Sequence, residues 1–124
     1  MSRRTTALAA ALSLLVFGAP LITGCSDFAG NIAWRSAEQK FEKGDFKGAI
    51  ADYTKAIEIN PQYSEAYINR GIAKSDLGDT QGAIADYNKA IDINPQYAVA
   101  YNNRGYAKYN LKDFQEQLLI TTRQ

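Results

Sequence analysis

The chain has 124 residues, 46% of them hydrophobic, with 14 Lys and Arg against 13 Asp and Glu, and it has no histidine. That length holds one small domain. The missing histidine excludes His-based acid/base catalysis, Ser-His triads and the common zinc ligand sets. The single cysteine, Cys25, excludes an internal disulfide framework or a thiolate-cluster metal site. Residues 1–24 carry Arg3 and Arg4 and no acid, and the rest is one charge negative. A body so near neutrality has no electrostatic footprint for nucleic acid.

The N-terminal segment reads as an address. Met1–Thr6 is short, polar and basic, and Ala7–Ile22 is almost continuously apolar until Gly18 and Pro20 interrupt it. A basic n-region before an apolar h-region of this size is the pattern of a signal peptide. A membrane-spanning helix needs roughly 20 apolar residues without such breaks, so the pattern favours cleavage over an uncleaved anchor. The run Leu21-Ile22-Thr23-Gly24-Cys25 resembles a bacterial lipobox. That resemblance implies cleavage before Cys25, a thioether-linked diacylglycerol on its sulfur, and fatty acyl chains of the palmitate kind as a lipoprotein anchor. Two or three such chains hold firmly, at roughly 0.8 kcal/mol per buried methylene. Ser26, not an aspartate, follows the cysteine. By the sorting rule of such lipoproteins this implies the outer membrane, if the host has two membranes. Residues 1–24 are thus expected to be a signal peptide, and 25–29 the lipidated cysteine and a short tether.

The remainder is periodic. Gly-Ala-Ile-Ala-Asp-Tyr stands at 48–53 and 82–87, and Asn-Pro-Gln-Tyr at 60–63 and 94–97, each pair separated by the same interval. Ala66-Tyr67-Ile68-Asn69-Arg70-Gly71 likewise returns as Ala100-Tyr101-Asn102-Asn103-Arg104-Gly105. Within a period, Ala66, Tyr67, Gly71, Ala73 and Leu77 fall mainly at three- and four-residue steps, as do Ala83, Ile84, Tyr87, Ala90 and Ile91. Gly78-Asp79 supplies a helix-ending glycine and then an N-cap, and Asn94-Pro95 stops the second helix. Gly44-Asp45 and Asn60-Pro61 do so one period earlier. Each period therefore predicts two antiparallel helices. Small residues (Ala37, Gly71, Gly105, Ala49, Ala83) stand where helices touch, with Tyr53 and Tyr87 filling the space beside them.

This pattern is similar to the tetratricopeptide repeat over about Gly30 to Phe114, and its period matches that family's repeat length of about 34 residues. The resemblance implies an all-α, helix-turn-helix solenoid of about two and a half repeats, at 30–63, 64–97 and an incomplete 98–124. It also implies that the first helices line a concave face used for protein–protein interaction. Residues expected there are Trp34, Glu38, Phe41, Ile68, Asn69, Ile72, Asn102, Tyr106 and Tyr109. Apolar and aromatic side chains beside amides suit a peptide segment. Several of them, Ile72 and Phe41 above all, read equally well as core. One sub-type of the family clamps a C-terminal carboxylate on this face with basic residues and asparagine. Asn69 is consistent with that clamp, but Trp34, Glu38, Val99 and Asn103 hold its other places and none is basic, so no such clamp is expected. Lys40, Lys74 and Lys108 recur at the period and read as solubility more than as a binding stripe. Asp52, Asp86 and Asp92 read as a solvated face or a structural role, not as converging catalytic carboxylates. No enzyme activity, cofactor or metal is expected.

The C-terminus departs from the repeat. After Phe114-Gln115-Glu116 a peptide like Ala83–Ala90 is due, yet residues 117–124 read Gln-Leu-Leu-Ile-Thr-Thr-Arg-Gln. The coding GCA ATT GCT GAT TAC AAC AAG GCA, shorn of its first base, translates as Gln-Leu-Leu-Ile-Thr-Thr-Arg. The expectation is a frameshift within a longer repeat array. With it come a frayed end beyond β-branched Ile120, Thr121 and Thr122, and self-association through an uncapped repeat. Leu118, Leu119 and Ile120 are expected to pack on the third repeat's first helix. The expected function is a membrane-anchored module for protein–protein interaction or complex assembly at the bacterial cell envelope. The alternatives are a truncated, non-functional fragment of a longer repeat protein, and a soluble adaptor whose N-terminal segment is not processed.

Overall fold

The structure, a computed structural model, describes residues 27–123. It is all helix and turn over those residues, in five helices. They are α1 (residues 27–42), α2 (Phe46–Ile59), α3 (Ser64–Asp76), α4 (Thr80–Ile93) and α5 (Ala98–Thr122). The expected signal peptide and Cys25 lie outside the described residues. No helix among the described residues is long and apolar enough to cross a membrane. α1 already includes residues 27–30, so the expected tether at 25–29 is helical from Asp27 onward.

The two tight turns follow from glycine chemistry. Gly44 and Gly78 take φ of 78° and 87°, a left-handed conformation that breaks the helix without a Cβ clash. Asp45 and Asp79 then cap the next helices, their Oδ1 atoms accepting from the N–H of Gly48 and Gly82 at 2.9 Å. A Cβ on either of those glycines would lie 2.1 Å from the capping carboxylate. The longer turns use Asn60 and Asn94, whose Oδ1 atoms accept from the N–H of Gln62 and Gln96 at 3.1 Å, with proline between to prevent helix.

Consecutive helices pack antiparallel, α2 on α3, α3 on α4 and α4 on α5. Their contact layer is small residues interleaved with tyrosine. Ala37, Ala49, Ala56, Ala66, Ala83, Ala90 and Ala100 are fully buried, and Tyr53 and Tyr87 fill the space between the close axes. Gly71 shows why a small residue is needed: a Cβ there would lie 2.7 Å from Cε1 of the buried Tyr87 ring. This is one continuous core rather than one core per repeat.

The third repeat differs from expectation. α5 runs unbroken from Ala98 to Thr122, with no turn at residue 112, the place of Gly44 and Gly78 in the first two repeats, and without fraying at its β-branched residues. Leu118, Leu119 and Ile120 are exposed and do not pack back on the first part of the helix. Two side chains explain the straight course. Lys112 stands where Gly44 and Gly78 take positive φ, and Glu116 stands where Gly48 and Gly82 admit the cap. Without them the helix has no cheap way to turn. Thr121 and Thr122 are accommodated by donating their hydroxyls to carbonyls one turn back, at 2.9 and 3.0 Å.

Candidate functional site

The first helices α1, α3 and α5 are joined side by side by polar contacts and packing. The carboxylate of Glu38 on α1 is the hub. It accepts from Asn69 Nδ2 of α3 at 2.7 Å and from the Tyr53 hydroxyl of α2 in a short hydrogen bond. Burial, and then the neighbouring Glu38, push the Tyr53 phenol far above its ordinary value, so it stays protonated as a donor. Trp34 lies against Tyr63 with ring centroids 6.2 Å apart. Its indole N–H is buried without an acceptor among the described residues. Phe41 meets Phe46 edge-on at 5.3 Å.

The nine expected face residues separate into three groups. Ile68 is only 3% exposed and belongs to the core, so it is not free to touch a ligand. Trp34, Phe41 and Ile72 are half-buried and packed against the core with one side open. Glu38 and Asn69 are half-buried and bonded to each other, while Asn102, Tyr106 and Tyr109 are exposed on α5. The surface thus runs from an aromatic end at α1, over a carboxylate–amide pair, to a tyrosine-rich end at α5. The exposed amide and phenols suit hydrogen bonding to a peptide backbone, and the half-buried aromatic rings suit its apolar side chains. The Glu38 carboxylate gives the middle of the face negative character.

A second polar system decides between the two readings of Asp52 and Asp86 in favour of a structural role. Asp52 and Asp86 are each 4% exposed, so neither belongs to a solvated face. Asp86 of α4 is gripped by α3: Arg70 donates Nε and Nη2 to its two oxygens at 2.9 and 2.7 Å, and Lys74 Nζ lies 2.9 Å away. Arg70 Nη1 also donates to Thr54 Oγ1 of α2 at 3.1 Å, tying the two repeats together. One period earlier, Asp52 of α2 accepts from Lys40 Nζ and Ser36 Oγ of α1, both at 2.6 Å. Lys40 and Ser36, aided by Lys55, hold the Asp52 carboxyl at about 2, against desolvation that acts the other way. Burial, then Asp76 and Asp86, push Tyr87 up to about 12. The signal was in the sequence: Lys40 and Lys74 recur in step with Asp52 and Asp86. These lysines are structural ion-pair partners rather than solubilising charges. No grouping of His, Cys, Asp and Glu among the described residues could hold a metal ion.

No curated protein matches the chain. Solved structures do. The first TPR of Spaghetti (RPAP3) bound to HSP90 peptide SRMEEVD is 28% identical, with a TM-score of 0.68 over 73% of this chain and 71% of that one. The Arabidopsis OM64 TPR domain is 27% identical, with a TM-score of 0.69 over 73% and 75%. The TPR2B domain of yeast Sti1, in complex with an Hsp70 peptide, is 30% identical, with a TM-score of 0.67 over 72% and 71%. A sequence profile described as TPR repeat matches residues 37–78 and 74–112, which include both turn glycines, both buried aspartates and the Tyr87–Gly71 contact. The chain belongs to the tetratricopeptide repeat family.

Proposed function

We propose that this chain is a lipid-anchored interaction module of a bacterial cell envelope, which holds a protein or peptide on the face shared by α1, α3 and α5. The observation that carries the binding reading is the open run of half-buried and exposed side chains from Trp34 through Asn69 and Ile72 to Tyr106 and Tyr109. Structural neighbours that hold HSP90 and Hsp70 peptides support the use of such a face. The anchor reading rests on Cys25 after the apolar segment and its lipobox-like residues.

The ligand differs in chemistry from the acidic SRMEEVD tail. Glu38 holds one of the places of a carboxylate clamp, none of which is basic here, and Asn69, the one residue that fits the clamp, already donates to it. An acidic C-terminal tail would meet a fixed negative charge there, so neutral or basic segments are favoured. The whole chain should therefore show no affinity for SRMEEVD in a titration followed by Trp34 fluorescence.

The binding reading is tested in a bacterial host, with a photoreactive amino acid replacing Tyr109 in the whole chain. It should cross-link one discrete other protein from the membrane fraction, and the same replacement at Lys89 of α4 should not. Equal capture at both positions, or capture of this chain alone, overturns the reading. The anchor is tested separately. Cys25→Ser should abolish acylation and release the chain from membranes, whereas unchanged partitioning removes the anchor.

A further inference from the structure

The face of α5 on which its repeat's second helix belongs is uncovered among the described residues. In α3 the same face is closed. Tyr67 is 8% exposed, Gly71 lies under the Tyr87 ring, and Arg70 and Lys74 share Asp86. One period on, Tyr101 is 41% exposed and a Cβ at Gly105 would meet nothing within 4 Å. Arg104 lies over the Tyr101 ring and reaches only Asn88 Oδ1, at 2.9 Å. Neither Arg104 nor Lys108 has a carboxylate within salt-bridge distance among the described residues. The segment that fills this place in the first two repeats corresponds to residues 114 onward. α5 carries that segment straight past its own slot.

The helix is self-complementary along this side. Tyr101, Gly105, Lys108, Lys112, Glu116 and Leu119 follow one another at steps of three or four and so share one face. Gly105 and Leu119 lie seven residues either side of Lys112, and Lys108 and Glu116 four either side. Two copies of α5 laid antiparallel about Lys112 therefore set Leu119 of each over Gly105 of the other. The same placement sets Glu116 of each beside Lys108 of the other. Glycine permits the close approach, and exposed Leu119 is the apolar group to enter it. The paired carboxylate supplies what Asp86 supplies to Lys74 in the second repeat. At the axis, each Lys112 has its own Glu116 at 3.7 Å.

We propose that the chain forms a twofold dimer through α5, the uncovered faces of two copies packing antiparallel about Lys112. The contact is isologous, so it closes on itself and does not propagate into fibres. It uses a different set of α5 side chains from the peptide-binding reading, which rests on Asn102, Tyr106 and Tyr109.

The test pairs Gly105→Cys with Leu119→Cys in the whole chain, oxidised in the membrane or in mild detergent. Within one helix these positions lie about 21 Å apart at ~1.5 Å per residue, so a disulfide between them joins two copies. Mass spectrometry of the linked peptides separates it from any bond through Cys25. The expected result is an efficient covalent dimer for this pair and little for Gly105→Cys with Gln117→Cys, which lies off the face. Lys108→Glu and Glu116→Lys should each weaken the link several-fold, and the two together should restore it. A monomer by sedimentation with unchanged helix content overturns the proposal. So do equal linking of both cysteine pairs, failure of the double reversal to restore, or a different protein joined at position 105.

Discussion

Helices α3 and α5 begin on nearly the same residues, Ala66-Tyr67-Ile68-Asn69-Arg70-Gly71 and Ala100-Tyr101-Asn102-Asn103-Arg104-Gly105, and end in different surroundings. α3 is gripped on both sides, by α2 and by α4, whereas α5 has α4 on one side and solvent on the other. The same arginine that holds a buried carboxylate from α3 reaches only an asparagine from α5. The same tyrosine is buried in one and half-open in the other. In a solenoid a first helix thus acquires its environment from the helix that follows it. A pair of glycines decides whether that helix folds back.

The largest effect is expected from removing the tyrosine that covers α3. Tyr87→Ala empties a buried site between Ala83, Ala90 and Gly71, and truncating a buried aromatic costs ~3–5 kcal/mol. Tyr109→Ala on exposed α5 should change stability by less than ~0.5 kcal/mol. Urea unfolding followed by circular dichroism measures both. Equal losses would mean that α5 is as enclosed as α3.

Next in size is the buried ion cluster. Asp86→Ala leaves Arg70 and Lys74 facing each other without their shared carboxylate, and both are mostly buried. Breaking such a cluster from one side costs up to ~3–5 kcal/mol, and the partial exposure of the two cations puts this case at about 2–3. Arg104→Ala, which loses one exposed hydrogen bond to Asn88, should cost under ~1 kcal/mol.

The first repeat extends the contrast to pH. The Asp52 carboxyl is held at about 2, below its ordinary 3.8, so the folded state binds its proton more weakly than the unfolded chain does. The stabilisation is complete above the unfolded value and is lost as pH falls from about 4 towards 2, amounting to ~2 kcal/mol. Asp52→Asn should flatten that limb of the stability curve. An unchanged acid limb would mean that Lys40 and Ser36 do not grip the carboxylate in solution.

How much of this is legible in the sequence follows from where each determinant lies. Gly44, Gly78, Asn60 and Asn94 act on their own neighbours in the chain, so the turns and the helix pairing are readable from local order. The Ala and Tyr positions return with the repeat period and announce the core. Asp52 and Asp86 read equally as a solvated face or a structural role, because a carboxylate in mid-helix takes its meaning from cations on another helix. Only the matched recurrence of Lys40 and Lys74 hints at it. On the candidate face, Ile68 is misplaced for a similar reason. Its burial depends on how closely α3 meets its neighbours, which spacing alone does not state. For α5 the departure at residues 117–124 is plain in the sequence, but the repeat pattern implies a turn that does not form. Lys112 and Glu116, in place of two glycines, are the overlooked signal.

The smallest effect is the most discriminating, because the comparison makes it change sign. Gly71→Ala puts a methyl carbon 2.7 Å from Cε1, 3.1 Å from Cδ1 and 3.2 Å from Cζ of Tyr87. That ring is buried and cannot swing away, so overpacking of ~1–3 kcal/mol outweighs the ~1 kcal/mol that alanine gains over glycine in a helix. Gly105→Ala meets nothing within 4 Å, so only the helix-propensity gain remains and the dilute monomer should be stabilised by ~1 kcal/mol. Raising the protein concentration then separates two situations. If Leu119 of a second copy enters the Gly105 cleft, the alanine variant loses its advantage as the wild-type chain dimerises. If nothing enters, the two melting curves keep their separation at every concentration. One methyl group, moved by a single repeat period, thus reports both what covers α3 and what covers α5.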